Sequence, residues 1–296
     1  MNNGIFRWLL CLAGCFLFSA LPLFGQAQLG ITGVVEWDKM EINAAISLDM
    51  ASAGLRLPAG RTQGEALLSS EYLRLIRPGI LGIQVDSFSD IADLIGQGEW
   101  TLLDVENLAL QARSVPPALS SDFGSLLALY SLDLKGIASA HIRHERPSDI
   151  PRTLSPIAAP VYTGIIIIAS EQKQVHGMQG SALPRPCLFP KIWDTNMNLI
   201  FERNMINPRI GAMVRYFPPQ AILAPSPSGL SPEITAVVGD RPLRIFAQGI
   251  FGSNPTDPII DRNDALLIIS RDENRSLLRE GRVAIILDDS VLRSPL

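Results

Sequence analysis

The sequence predicts an α/β (α+β) chain made of two small mixed modules, each a sheet packed with two or three helices. Three observations carry that prediction. Met40, Ile42, Ala44, Ile46, Leu48 and Met50 alternate with Glu41, Asn43, Ala45, Ser47 and Asp49, the period of two that buries one face of a strand and wets the other. Leu68, Tyr72, Leu75 and Ile76 fall at helical spacing. Near the carboxy-terminal end, strand and helix periods follow one another as β-α-α-β, the pattern of helices laid on a sheet.

Each element has its own signal. Ile31 to Trp37 is a partner for the alternating strand, joined to it through the short Asp38-Lys39 link. Thr62 and Glu65 read as a capping box opening the first helix, and Pro78-Gly79 as its end or a kink. Phe88, Ile91, Ala92 and Ile95 suggest a second short helix. Leu102, Val105, Ala109 and Ala112 suggest a third, capped by Thr101. Leu126 to Leu134 returns to strand character, so the first module, 28–145, reads β-β-α-α-α-β. Residues 146–160 hold four prolines and no hydrophobic period, the mark of a connector.

The second module, 161–296, opens with a buried strand at 161–169. A hairpin follows at 191–202, with Thr195 to Asn198 as its loop. A Pro-rich stretch at 217–233 reads as an exposed loop. Leu243, Ile245, Ala247 and Gly249 alternate on a strand. Asp264 to Ile269 is helical, Ser270 and Glu273 read as a second capping box, and Gly281 terminates the last helix. Arg282 to Leu287 is the final strand.

Residues 1–27 carry one charge, Arg7, then an apolar run from Trp8 to Phe24 and a Gly25-Gln26-Ala27 site. This is the layout of a secretory signal peptide. Export to the periplasm or outer membrane is therefore expected. Leu12 to Cys15 matches a lipobox, which makes Cys15 a candidate lipidation site and the one route to membrane contact. The apolar continuation after Cys15 favours simple cleavage, with the mature chain starting near Gln28. After that cleavage Cys187 is alone, so no intramolecular disulfide is expected. With 25 Lys+Arg against 29 Asp+Glu, nucleic acid is not an expected partner. The hydrophobic share of 47% rules out a disordered chain.

No catalytic, cofactor-binding or metal-ligating residue is predicted, and no cofactor. There is no GxSxG, no GxGxxG and no phosphate-binding loop. His141 and His144 stand three apart but match no zinc motif, and read as a charged helix end. Asp257, Asp261, Asn263 and Asp264 crowd one segment but lack the glycine a calcium loop requires. Helix capping accounts for Asp261 to Asp264.

Two segments, YTGIIIIASE (162–171) and ALPRPCLFPKIWDTNMNLIFE (182–202), resemble a signature of exported envelope proteins of the FlgP/FlgT type, a flagellum-associated, lipoprotein-like family. The segment 251–287 is similar to the carboxy-terminal part of such proteins. The sequence departs from the pattern at Ser170 and at Thr195 to Asn198. The resemblance implies an α/β module with no catalytic residues that helps assemble flagellar or envelope structures.

The expected function is that of a non-enzymatic periplasmic assembly or scaffold protein whose partners are envelope or flagellar proteins. Trp193 and Phe201 on the hairpin, together with the 217–233 loop, form the expected interaction surface. The alternatives are an exported, hydrolase-like enzyme whose site is assembled from distant residues, and a small-ligand or peptidoglycan-binding module.

Overall fold

The computed structural model describes residues 29–296. The expected leader at 1–27 and Cys15 lie outside the described residues. The first unit comprises β1 (Leu29–Glu36), β2 (Glu41–Asp49), α1 (Gly60–Leu81), α2 (Ile91–Gly96), α3 (Leu102–Ala109), β3 (Arg113–Leu119), β4 (Ser125–Asp133) and α4 (Leu134–His141). The alternation in β2 does what its period demands. Ile42, Ala44, Ile46 and Leu48 are buried while their neighbours are only half-buried. Helix α1 covers that face with Gly60, Gly64, Leu68, Tyr72, Ile76 and Ile80, one buried residue every four. Gly64 permits the approach, since a β-carbon there would meet Leu126 at 3.1 Å and Leu48 at 3.3 Å.

Both expected capping boxes fail. Helix α1 starts at Gly60 after Ala59, with no side-chain cap. Thr62 therefore lies inside the first turn, and Glu65 pairs with Arg61 instead. The helix after Ser270 starts only at Asp272, following Arg271, and the Ser270 hydroxyl accepts from Ile157 N instead. Helix α1 also runs past Pro78 to Leu81. Proline in the last turn removes only its own donor, and Gly82 N closes the helix on Pro78 O. Strand β3 was hidden by Pro116 and Pro117. It lies at the edge of its sheet, the one place where missing donors break no ladder.

The second unit holds β5 (Ile165–Ile168), β6 (Lys173–Gln174), β7 (Ser181–Ala182), β8 (Ile192–Asp194), β9 (Leu199–Phe201), β10 (Arg215–Phe217), α5 (Pro232–Val238), β11 (Leu243–Phe251), β12 (Asp257–Ile260), α6 (Arg262–Ile269), α7 (Asp272–Arg279), β13 (Val283–Ile286) and β14 (Arg293–Pro295). Its main sheet runs β10-β13-β5-β11-β12-β8-β9. Strands β13, β5 and β11 are parallel neighbours. Strand β5 is apolar throughout because both its faces are covered. Ile165 and Ile167 join the main core. Ile166 joins a smaller cluster with Phe217, Ala221, Leu230 and the α5 residues Ile234 and Val238.

The two units share one core, which runs from Val35 in the first to Leu292 in the second. They also exchange a strand: β14 leaves the second unit and pairs antiparallel with β1, Arg293 opposite Glu36. Residues 146–160 form neither helix nor strand. They are nonetheless held on the second unit. Ile150 is buried, Arg271 Nη1 donates to Ala159 O at 2.9 Å, and Asn274 Nδ2 donates to Pro160 O at 2.9 Å. Among the described residues, no helix is long and apolar enough to cross a membrane.

Candidate interaction surface

The two units meet at a tight turn in the first, residues 86–89. Asp86 Oδ1 accepts from Phe88 N and Ser89 N, both at 2.9 Å. This Asx-type closure sends successive side chains opposite ways: Ser87 is fully buried while Phe88 is 54% exposed. A turn of the second unit clasps Ser87. Asn254 N donates to its carbonyl at 3.0 Å and Ser253 Oγ at 3.1 Å. The clasp requires glycine at 252, where φ is +112° and a β-carbon would sit 2.4 Å from Ser87 Cβ.

Beneath the turn lies Asp257, fully buried at the start of β12. Its Oδ2 accepts from Ser87 Oγ at 2.8 Å and from Trp193 Nε1 at 3.4 Å. Its Oδ1 accepts from Lys191 N at 3.0 Å and Thr256 Oγ1 at 3.1 Å. Burial pushes the carboxyl above its ordinary range, and these four donors pull it back. A carboxylate so fully bonded is a pin, not an acid or base free to act. It ties the Ser87 turn, the β8 strand and β12 together. Cys187 lies nearby in the core. Burial, then the Asp257 charge, drives its thiol well above the usual range, so it is no nucleophile. Its backbone is clamped by Tyr216, whose hydroxyl donates to Cys187 O at 2.8 Å and accepts from Cys187 N at 3.1 Å.

Above the pin an aromatic ridge reaches the surface. Phe251 lies at its centre, with Phe88 edge-on at 5.7 Å, Trp193 edge-on at 5.6 Å and His176 tilted at 6.2 Å. Phe88 and His176 are exposed, Trp193 and Phe251 half-buried. Such packing holds the rings in fixed orientations, which lowers the entropic cost of using them as anchors.

The sequence-predicted residues fare unequally. Trp193 belongs to the ridge. Phe201 does not: its exposure is 0%, and it packs into the main core together with its neighbour Ile200. The hairpin forms as expected around Asp194, whose Oδ1 accepts from Asn196 N at 2.9 Å and Asn198 N at 2.8 Å. The 217–233 stretch cannot join Trp193 in one surface. Strand β10, which leads into it, and the β8–β9 hairpin lie at opposite edges of the sheet. That stretch instead covers β5 with Ala221 and Leu230. His141 is buried on α4, stacked on Trp100 with ring centroids 3.8 Å apart. Burial lowers its pKa to about 4. His144 bonds Ile206 O at 2.8 Å. Asp261 caps α6 through Asn263 N at 2.8 Å. Among the described residues, no group of three His, Cys, Asp or Glu side chains could hold a metal. The sequence reading missed Phe88, which helical spacing assigned to a helix that starts only at Ile91. It also missed Asp257 and Phe251. The Asp86-Ser87-Phe88-Ser89 run, rich in turn formers, was the available signal for Phe88.

Residues 28–140 match the family described as Treponema pallidum Tp0624, N-terminal domain, and residues 164–289 match Treponema pallidum Tp0624, second domain. No curated protein matches the chain.

Proposed function

Because the chain belongs to the Treponema pallidum Tp0624 family, carrying both its N-terminal and its second domain in order, we propose one function for the pair. The chain is an exported, non-enzymatic assembly or scaffold protein of the cell envelope. The aromatic ridge of Phe88, Phe251, Trp193 and His176 is its contact surface for an envelope or flagellar protein. The ridge carries the proposal. It displays rigid aromatic anchors over a buried carboxylate whose bonds are all spent internally, the composition of a recognition surface and not of a reaction centre.

The flagellar part of the reading comes from the FlgP/FlgT-type resemblance. Its segments, 162–171, 182–202 and 251–287, supply β5, the Lys191–Trp193 side of the ridge, Phe251 and Asp257. In situ photo-crosslinking tests the proposal, with a crosslinking amino acid at Phe88 and, as a control, at Leu154 on the far-exposed connector. A covalent adduct with an envelope or flagellar protein from position 88, and none from 154, is expected. Adducts from 154 alone, or from neither position, would overturn it.

A further inference from the structure

We infer that a second site, a pocket built from Lys135, Arg215 and Arg282 at the junction of the two units, binds a phosphate monoester. Lys135 comes from α4 of the first unit, Arg215 from β10 and Arg282 from the turn before β13. The pocket holds about 470 Å³, within the range of small-ligand sites. Gly281 shapes its floor. Its φ of +65° brings the turn so close that a β-carbon would lie 2.8 Å from Ala212 O.

The distinguishing fact is what these cations lack. Among the described residues, four arginines have a buried Nε with no hydrogen-bond partner: Arg77, Arg215, Arg279 and Arg282. Arg77 pairs with Glu106 and Arg279 with Asp149 through their other nitrogens. Arg215 and Arg282 make no ion pair or side-chain hydrogen bond among the described residues, and they line the same pocket. A half-buried guanidinium without a partner costs stability. Two of them beside a lysine are retained at a loss unless a ligand supplies the anion.

The fork geometry of the two guanidiniums, more than net charge, selects the ligand class. Three cations face the exposed lining carboxylate Glu280 and the nearby Asp133, which leaves positive charge uncompensated. Burial lowers Arg215's pKa, and the nearby Asp133, which makes no ion pair with Arg215, opposes that shift only in part. Asp133 Oδ1 accepts from Lys135 N at 2.9 Å. A carboxylate ligand offers only two oxygens, enough for one guanidinium fork. A phosphate monoester carries nearly two charges at neutral pH and offers three oxygens to planar guanidinium forks. Such a group could belong to a soluble metabolite or to a lipid headgroup.

Titration calorimetry of the full chain with glycerol 3-phosphate tests this. We expect saturable binding that weakens at least tenfold in the Arg215→Gln, Arg282→Gln double variant and is unchanged in Arg56→Gln, a distant exposed arginine. Because the guanidiniums are unpaired, the double variant should melt no lower than the parent protein without ligand, so loss of binding is not loss of fold. A lower melting temperature would assign these arginines a structural role and overturn the site. So would the absence of binding at about 10 mM ligand, an affinity too weak for a formed pocket, together with no binding to phosphatidic acid vesicles. Vesicle binding that disappears in the double variant identifies the lipid-borne phosphate as the ligand. Binding of glycerol 3-phosphate alone identifies a soluble one.

Discussion

Two polar clusters sit at the junction of the units, and they are opposites. Around Asp257 one negative charge is met by four donors at 2.8–3.4 Å. Around Arg215 and Arg282 buried donors meet no acceptor. Both clusters pay desolvation, but only the first recovers it within the chain. The first therefore holds the structure together, and the second is kept ready for something outside it. Saturation of hydrogen bonds, more than burial or charge, separates a structural polar group from a binding one.

The most damaging test of that contrast is Asp257→Ala. It strands four donors, each worth about 1 kcal/mol, so unfolding in urea should show a loss of about 4 kcal/mol. A loss below about 1 kcal/mol would mean that the pin holds nothing. Next is acid. His141 is neutral in the folded state, with a pKa of about 4 against an ordinary 6.5. The unfolded chain therefore binds the extra proton first, and stability falls as the pH drops from about 6.5 to 4. The full loss is on the order of 3 kcal/mol. His141→Phe keeps a ring against Trp100 and should flatten the dependence of melting temperature on pH across that window.

A smaller effect sharpens the comparison at the clasp. Gly252→Ala forces a side chain into positive φ and onto Ser87, which should cost about 2 kcal/mol in chemical denaturation. The smallest effect belongs to the surface. Phe88→Ser should change stability by less than about 0.5 kcal/mol while removing co-purification with the partner. If Phe88→Ser instead destabilises as much as Asp257→Ala, the ridge is part of the pin and not a contact surface.

Periodic elements were legible in the sequence because their period is the cause of their burial. Strand β2 and strand β11 alternate in the structure as in the letters, and Thr101 caps α3 with Asp104 in a reciprocal box. Three kinds of element were not legible. Strand β3 is edge-paired despite two prolines, and β10 and β12 are too short to show a period. The capping boxes at Thr62 and Ser270 matched a motif whose hydroxyls each stand two residues from the first helical residue. The site was legible only at Trp193. Ser87, Phe251 and Asp257 are brought together by long-range packing, Ser87 and Asp257 being bonded across most of the chain. The Lys135, Arg215 and Arg282 pocket was invisible for the same reason. Its cations lie far apart in the sequence and match no motif.

Strand β14 bears on how the chain acquires its shape in time. Its residues close the edge of the first sheet on Val34 to Glu36, and Leu296 packs so near Gly33 and Gly79 that a β-carbon at either would overlap it. Among the described residues, strand β1 thus waits for a strand far along the chain before its edge is closed. Contacts of such long sequence separation are slow to form, so a growing chain stays open at that edge until synthesis has passed Arg293. Truncations that remove the last few residues should leave the amino-terminal sheet with an unpaired border, whatever becomes of the unit they were cut from.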